Sequence, residues 1–547
     1  MNFFFRRFIS FILIVSAFFA LTSSTAFASA VFTNETTGTP ASGLTWYSIT
    51  SSSDGTKLAA VETNFTVGDI WTSTDGGVTW TNQTTGTSLS GKAWQWITSS
   101  ADGTHLAAFG SGHVWTSTDS GHTWTQTSLS PGAWIITSSA DGTKLAAALN
   151  DGDIYVSTTS GATWTNETTG TAASGASWIG ICSSADGTHL AAMIHYNAGA
   201  GPPGDIWTST DSGATWANRT PSGALHNINW RSIACSADGT KLAAAQGTPA
   251  YGSTGDIITS ADGGATWINQ TTGTSASGQT WKDIASSADG TKLAAVVSGG
   301  DVWTSTDGGN TWTNETTGTP ASGLTWYLIT SSSDGTHLAA AVQGGDIWTA
   351  TFSSPTVTTQ AASSVGTSYA MLSGSITDSG AATSTTEGFV WGSTTSYGAT
   401  TTSSGSFGIG DFTADVSSLT CGSSYHFAAY ATNGYGTAYG NDETFTTSAC
   451  PVATPPPAGN GAPVGLIGGG GGGGGGSVAV ALPNNGSTAG ATATATAAST
   501  TSAAVSSATP TIPALSPAQT AELVSLYTSL LQLLQQELSA LIAMRGS

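Results

Sequence analysis

The chain is 547 residues long, and only 8% of them are charged, with a formal net charge of −21 at neutral pH. Such acidity disfavours nucleic acid and anionic membrane surfaces as partners. The four cysteines form no Cys-x-x-Cys pair and no histidine cluster accompanies them, so neither a zinc site nor any other metal or cofactor is expected.

The N-terminus reads Arg6-Arg7, an apolar run from Phe8 to Leu21, then Ala26-Phe27-Ala28-Ser29-Ala30. That is the grammar of a secretory signal peptide over residues 1–30, cleaved after Ala28 or Ala30. The run is too short for a membrane anchor, and no later stretch is long enough to span a bilayer. The mature protein is therefore expected to be secreted or held at the cell surface. Loss of Arg6 and Arg7 takes its charge from −21 to −23.

From residue 31 to 352 one phrase recurs seven times: Ser-x-Asp-Gly-Thr-(Lys/His)-Leu-Ala-Ala. Its aspartates are Asp54, Asp102, Asp141, Asp186, Asp238, Asp289 and Asp334, spaced by 48, 39, 45, 52, 51 and 45 residues. A period of this size marks a repeat architecture. Each unit opens with a tryptophan strand such as Trp46 to Ile49. It turns at Asp-Gly-Thr, continues through Lys57 to Val61 and Gly68 to Trp71, then turns again into Thr79 to Asn82. Asp-Gly is a strong hairpin signal because glycine accepts positive φ and aspartate bonds its own turn. Four short strands per unit predict a β-propeller.

The second turn reads Ser-x-Asp-x-Gly-x-Thr-Trp at Ser73–Trp80, Ser117–Trp124, Ser209–Trp216, Ser260–Trp267 and Ser305–Trp312. A sixth copy, Ser157–Trp164, carries Thr159 in place of the aspartate. These octets resemble the Asp-box, or bacterial neuraminidase repeat, across residues 31–352. The resemblance implies a sialidase-like propeller, with the boxes as rim hairpins away from the mouth. The last unit stops at Phe352 without its box, while Phe32 to Gly38 aligns with the fourth strand Trp80 to Gly86. The N-terminal segment is thus expected to complete a seventh blade and remove two open sheet edges. Residues 33–47 and 313–327 are identical, a mark of internal duplication.

Residues 355–450 lose the periodic tryptophans and read as a β-sandwich. The phrase from Leu419 to Asn433, with Leu419 and Tyr425 placed as a corner, resembles a fibronectin type III module and implies a spacer or adhesion role. Cys421 and Cys450 bracket its end as plausible disulfide partners in an oxidising compartment. Cys182 and Cys235 lie on the opening strands of adjacent blades, one position out of phase. Strand alternation sends them to opposite faces, so free buried thiols are expected.

Residues 451–513 include Pro455-Pro456-Pro457 and nine glycines from Gly468 to Gly476, and read as a flexible stalk. Residues 514–547 read as an amphipathic helix. Ser516-Pro517 opens it, and Val524, Tyr527, Leu531, Leu534, Leu538 and Leu541 form a heptad seam. Helix 516–545 is expected to self-associate, to dock on another protein or envelope surface, or to pack on its own sandwich.

Residues present in every blade are architecture, so Trp46, Trp94, Trp178, Trp230, Trp281 and Trp326 are packing residues first, with sugar stacking as the alternative. Function is expected where blades differ. The candidate ligand-binding face comprises Tyr47, Gln95, Trp134, Arg231, Lys282 and Tyr327, which follow the opening position, plus His195 and Tyr196 in the insertion of blade four. Gln246 to Thr254 is a second insertion on the same face. The plainer reading of these insertions is neutral loop drift.

The resemblance also tests activity. Sialidases clamp the substrate carboxylate with three arginines, and the mature propeller has only Arg219 and Arg231. After the repeated acids are set aside, Glu62, Asp151 and Asp283 remain with no pairing visible, so no catalytic residue is assigned. The expected function is a non-catalytic surface protein whose propeller binds an extracellular protein or glycan. The alternatives are a divergent glycoside hydrolase and a structural envelope or filament component.

Overall fold

A computed structural model describes residues 31–452 apart from 65, 130–132, 150, 195–203, 221–228 and 248–253. The expected signal peptide, nearly all of the expected stalk, the expected terminal helix, His195 and Tyr196 lie outside the described residues.

Residues 31–352 form four-stranded antiparallel units, the repeated blades of an all-β, propeller-like ring. Blade one is Leu44–Ser51, Leu58–Glu62, Ile70–Ser73 and Thr81–Asn82, each strand paired with the next. Five further blades repeat this order, opening at Trp94, Ala133, Trp178, Trp230 and Trp281. The last blade has Leu324–Ser331, His337–Gly345 and Ile347–Thr351, and its fourth strand is Thr33–Asn34 from the other end of the segment. Thr33 pairs with Thr349 and Asn34 with Trp348.

The closing strand is held as the internal ones are. In blade six, Asp301 accepts from Asn314 Nδ2 at 2.7 Å and from the hydroxyls of Thr316 and Thr317 at 3.0 and 2.9 Å. In the last blade, Asp346 accepts from Asn34 Nδ2 at 2.8 Å and from Thr36 and Thr37 at 3.1 and 2.8 Å. The same clamp therefore works within one continuous blade and across the ring's ends.

The Asp-Gly-Thr turns join the blades. Ser52 Oγ donates to Asp54 at 2.6 Å, and Thr56 donates its N–H to the same carboxylate at 3.0 Å. This shape exposes the backbone of the residue between Ser and Asp. Ser53 donates its N–H to the carbonyl of Ala101, Ala101 to Ala140, Ala140 to Ala185, Ala185 to Ala237, Ala237 to Ala288, Ala288 to Ser333 and Ser333 back to Ser53. All seven bonds are 2.7–2.8 Å. Glycine is needed next to this circle. Gly55 has φ +75°, and a Cβ there would fall 2.5 Å from the Cβ of His337 in the preceding blade.

The core between blades is aromatic. Trp46, Trp94, Trp178, Trp230, Trp281 and Trp326 are each at most 1% exposed, as expected of packing residues. Trp46 meets Trp71 edge-on and Trp80 at a tilt, with ring centroids 6.3 and 6.1 Å apart. The Asp-box supports the second of these. Asp75 accepts from the Thr79 N–H at 2.8 Å and from its hydroxyl at 2.7 Å, which fixes the residue before Trp80.

One expectation is corrected. Cys182 and Cys235 are not free thiols but a disulfide, with Cα atoms 5.9 Å apart. Their side chains do leave opposite faces of equivalent strands. Successive blades stack face to face, however, so opposite faces of neighbouring blades are the surfaces that meet.

Residues 356–446 form two sheets. One holds Thr356–Ser363, Tyr369–Asp378 and Gly410–Ser417. The other holds Ala399–Phe407, Ser384–Gly392, Ser424–Asn433, Gly436–Tyr439 and Glu443–Thr446. Leu372, Phe389 and Phe427 are fully buried in their shared core. The Tyr425 hydroxyl accepts the Thr420 N–H at 2.9 Å, a corner that leads into the strand. Cys421 and Cys450 are bridged, with Cα atoms 5.0 Å apart.

Two predictions follow from these bonds. Replacing Cys182 and Cys235 by serine releases a crosslink spanning 53 residues and should cost about 4 kcal/mol in denaturant unfolding. Unfolded, unreduced wild-type protein should show no reactive thiol, and a full complement of free thiol would contradict the bridge. The second concerns acid. The Ser52 hydroxyl first, then the Thr56 N–H and hydroxyl, hold the Asp54 carboxyl down at about 2, and Asp141 is held at about 2 by Ser139 and Thr143 in the same way. Between that value and the unfolded one of about 4 the folded chain binds fewer protons than the unfolded chain. Stability should therefore hold down to about pH 4 and fall as the pH drops towards 2. A melting temperature already falling near pH 6 would contradict this.

Candidate functional site

The opening strand of every blade carries a β-bulge at one position. Register slips between Trp46 and Ser48, Trp94 and Trp96, Ala133 and Ile135, Trp178 and Gly180, Trp230 and Ser232, Trp281 and Asp283, and Trp326 and Leu328. The extra residues are Tyr47, Gln95, Trp134, Ile179, Arg231, Lys282 and Tyr327. A bulge leaves one residue outside the ladder and re-aims its side chain. The candidate positions are thus ones that the strand backbone releases from pairing.

The bulge has a sequence cause. Trp46 and Ile49 pack in one core cluster, as do Trp94 with Ile97 and Trp326 with Ile329. Two residues three apart cannot share a face of a regular strand, whose side chains alternate. One residue must be looped out, and it lies between them.

Four of the candidates converge. Arg231 of blade five lies over the ring of Tyr327 in blade seven, its guanidinium carbon 5.3 Å from the centroid. That contact skips blade six and so crosses the ring's interior. Tyr327 in turn meets Tyr47 of blade one, with centroids 5.7 Å apart. Burial, then the charge of Arg231, pushes the Lys282 ammonium pKa down. Burial first, then Tyr327, pushes the Tyr47 phenol up, against the opposing pull of Arg231. Arg231 Nε is buried and has no hydrogen-bond partner among the described residues. The result is two cations and two phenols gathered near the axis of an acidic protein. Gln95 is half-buried on its own bulge. Trp134 occupies the bulge of blade three, and its side chain lies outside the described residues, as do His195 and Tyr196.

The carboxylates left over by the repeats are engaged elsewhere. Asp283 accepts from the Ser232 hydroxyl at 2.6 Å, the Ile329 N–H at 2.9 Å and the Ile284 N–H at 3.0 Å, bracing blades five, six and seven. Burial pushes its pKa up while these three donors pull it down. Asp151 accepts from the Ser177 hydroxyl. Glu62 pairs in register with Trp46 in blade one, and burial followed by Asp69 raises its pKa. Arg219 follows the outer strand of blade four, its N–H bonded to the Ile206 carbonyl at 2.7 Å. Among the described residues no group of three or more His, Cys, Asp or Glu side chains is placed to hold a metal ion.

No protein-family model matches the chain, and no curated protein matches it. Solved structures do. "YCF48 bound to D1 peptide" is 15% identical, with 57% of this chain and 94% of that one covered and a TM-score of 0.43. YCF48 from Cyanidioschyzon merolae is 17% identical, covering 59% and 99%, at 0.42. Kuenenia stuttgartiensis hydrazine synthase is 15% identical, covering 57% and 97%, at 0.43. At these values the likeness is one of repeated-sheet architecture, and it carries nothing about ligands.

The axial group makes its own prediction. Arg231→Gln removes a neighbouring positive charge, so the Lys282 pKa should rise in a side-chain NMR titration. The rise should be partial, because burial is the larger cause. An unchanged Lys282 titration would show that the two cations do not feel each other.

Proposed function

We propose that this chain is an exported, non-catalytic binding or adhesion protein, and that its propeller recognises an extracellular protein or glycan with the bulge residues. Within this reading the repeats belong to the Asp-box class, the ring is sialidase-like, and the sandwich is a fibronectin type III-like spacer. The observation that carries it is the coincidence of two properties. The opening-strand residue that every blade frees from pairing changes identity from blade to blade, a variation it shares with the residue after it (Ser48, Trp96, Ile135, Gly180, Ser232, Asp283 and Leu328). Four of the freed residues also converge near the axis. Tyr47, Arg231, Lys282 and Tyr327 supply stacking faces and positive charge, which suit an anionic or ring-bearing ligand. The stalk and terminal helix would carry the ring away from the surface to which residues 516–545 attach, by self-association or by docking on the envelope.

The non-catalytic part draws on the remaining carboxylates. Asp283 has its oxygens engaged by three donors, and Glu62, Asp151 and Asp283 belong to blades one, three and six. A glycosidase needs two carboxyl groups a few ångströms apart about one bond. A sialidase needs a third arginine that the propeller sequence lacks.

A glycan and protein array probed with the purified mature chain tests the binding reading. A specific ligand should appear, and Arg231→Ala should weaken it at least tenfold with the melting temperature little changed. A ligand indifferent to Arg231, Lys282 and Tyr327 would move the site away from the axis. A fluorogenic sialoside and a broader glycoside panel should give no turnover, and turnover abolished by Asp283→Asn would favour the hydrolase reading instead.

A further inference from the structure

Neighbouring blades leave clefts on the side that carries the Asp-Gly-Thr turns and Asp-boxes. Between blades one and two the cleft has a volume of about 310 Å³ and is framed by Lys57, Thr72, Thr74 and Gln83, with His122 opposite. Between blades five and six it is about 320 Å³, framed by Lys241, Thr259, Ala261 and Gln270, with Asn310 opposite. Blade six presents the equivalent set as Lys292, Thr304, Thr306 and Glu315, and there the protein supplies its own occupant.

That occupant is Tyr435, at the tip of the sandwich turn between Ser424–Asn433 and Gly436–Tyr439. Lys292 Nζ lies 5.8 Å from its ring centroid. The ring stacks on Phe352 at 4.7 Å with planes 14° apart. Burial, then the Glu315 carboxylate, pushes the phenol pKa up, and a hydrogen bond with Thr304 pulls it down. Gly434 lets the turn come close, since a Cβ there would fall 2.4 Å from Thr306 Oγ1. Under this cover Glu315 is only 3% exposed, whereas Gln83 and Gln270 at the same position of blades one and five remain half-buried.

The first two clefts keep the lysine wall and the threonine floor that Tyr435 meets, though neither lining has a counterpart of Phe352. Lys57 and Lys241 each also donate to the next blade's turn, at the carbonyls of Asp102 and Asp289, at 2.8 Å. The threonines at the two floors are buried, and Thr72 and Thr259 accept from Gln83 and Gln270 at 2.7 and 2.8 Å. Accepting there leaves each threonine proton for a phenol oxygen. The clefts between blades two and three and between blades four and five are nearly closed, at about 10 and 20 Å³. They also lack the set, with Thr127 and Arg219 at the glutamine position. A further cleft, about 460 Å³ between blades seven and one, lacks the set as well, with His337 at the lysine position and Glu35 at the glutamine position.

We propose that the clefts between blades one and two and between blades five and six are docking sites for a tyrosine at the tip of a turn on a partner polypeptide. His122 gives the first a stacking wall, so it is the tighter. These sites lie at the turn end of the blades, away from the bulges, and stand or fall apart from the axial reading.

A labelled peptide with the sequence Thr432 to Thr437, closed into a hairpin by an added disulfide, tests this by anisotropy against the full mature chain. It should bind saturably at two sites. Thr74→Trp combined with Ala261→Trp fills both clefts without touching an Asp-box bond, and should weaken binding at least tenfold. The peptide with alanine at the tyrosine position should lose as much. Lys57→Met with Lys241→Met leaves the clefts open and removes the cations, so it should weaken binding about threefold and serves if the filled variant melts early. Tyr435→Ala in the protein opens the cleft between blades six and seven and should add a third site. No saturable binding, or binding indifferent to the filled clefts or to the peptide tyrosine, overturns the proposal.

Discussion

The circle of backbone bonds from Ser53 to Ala101 and on to Ser333 is the constraint on which the ring depends. Each of its seven members donates to the next blade and accepts from the one before, at 2.7–2.8 Å throughout. A circle of this kind tolerates no blade out of step, because a shift of one turn breaks two bonds. At about 1 kcal/mol net for each bond, the circle is of the same order as the stability of an ordinary domain, about 5–15 kcal/mol. The turn chemistry follows from it. Ser52 and Asp54 fold the loop so that the intervening backbone faces its neighbour, and Gly55 makes room for His337. The closing strand follows as well, since a circle joined at the turns brings Asp346 to Asn34.

With the turns and the tryptophans committed to architecture, variation falls on the bulge and the residue after it. Trp46 and Ile49 both face the core and force Tyr47 out of the ladder, and the same Trp and Ile pair does so in every blade but the third, which opens on Ala133. The repeat thus holds the bulge position of each blade open to change without disturbing the strand ladder. Arg231, Lys282, Tyr327 and Tyr47 use it to gather charge and aromatic surface near the axis, while most of the acids are spent in turns and clamps.

Much of the fold was legible in the sequence because its signals are local. The period, the Asp-Gly turns and the likeness of Phe32–Gly38 to Trp80–Gly86 need only neighbouring residues to be read. The candidate positions after each opening tryptophan were also readable, as variation against a constant background. Relations between elements were not. Cys182 and Cys235 were placed on opposite faces correctly, but the pairing depends on how blades stack, which strand alternation alone does not contain. The bulge was visible in principle, as the spacing of three from Trp46 to Ile49, yet becomes a bulge only once both are known to be buried. Nothing in Asn433-Gly434-Tyr435 announced that this turn would seat in a blade cleft.

Native-state hydrogen exchange at the amides of Ser53, Ala101, Ala140, Ala185, Ala237, Ala288 and Ser333 tests the circle directly. These are turn residues at the protein surface, which as independent turns would exchange fast through local opening. As members of one closed circle they should share a single high opening free energy, close to that of global unfolding. Fast exchange at these seven amides, or protection that differs widely from blade to blade, would contradict the account.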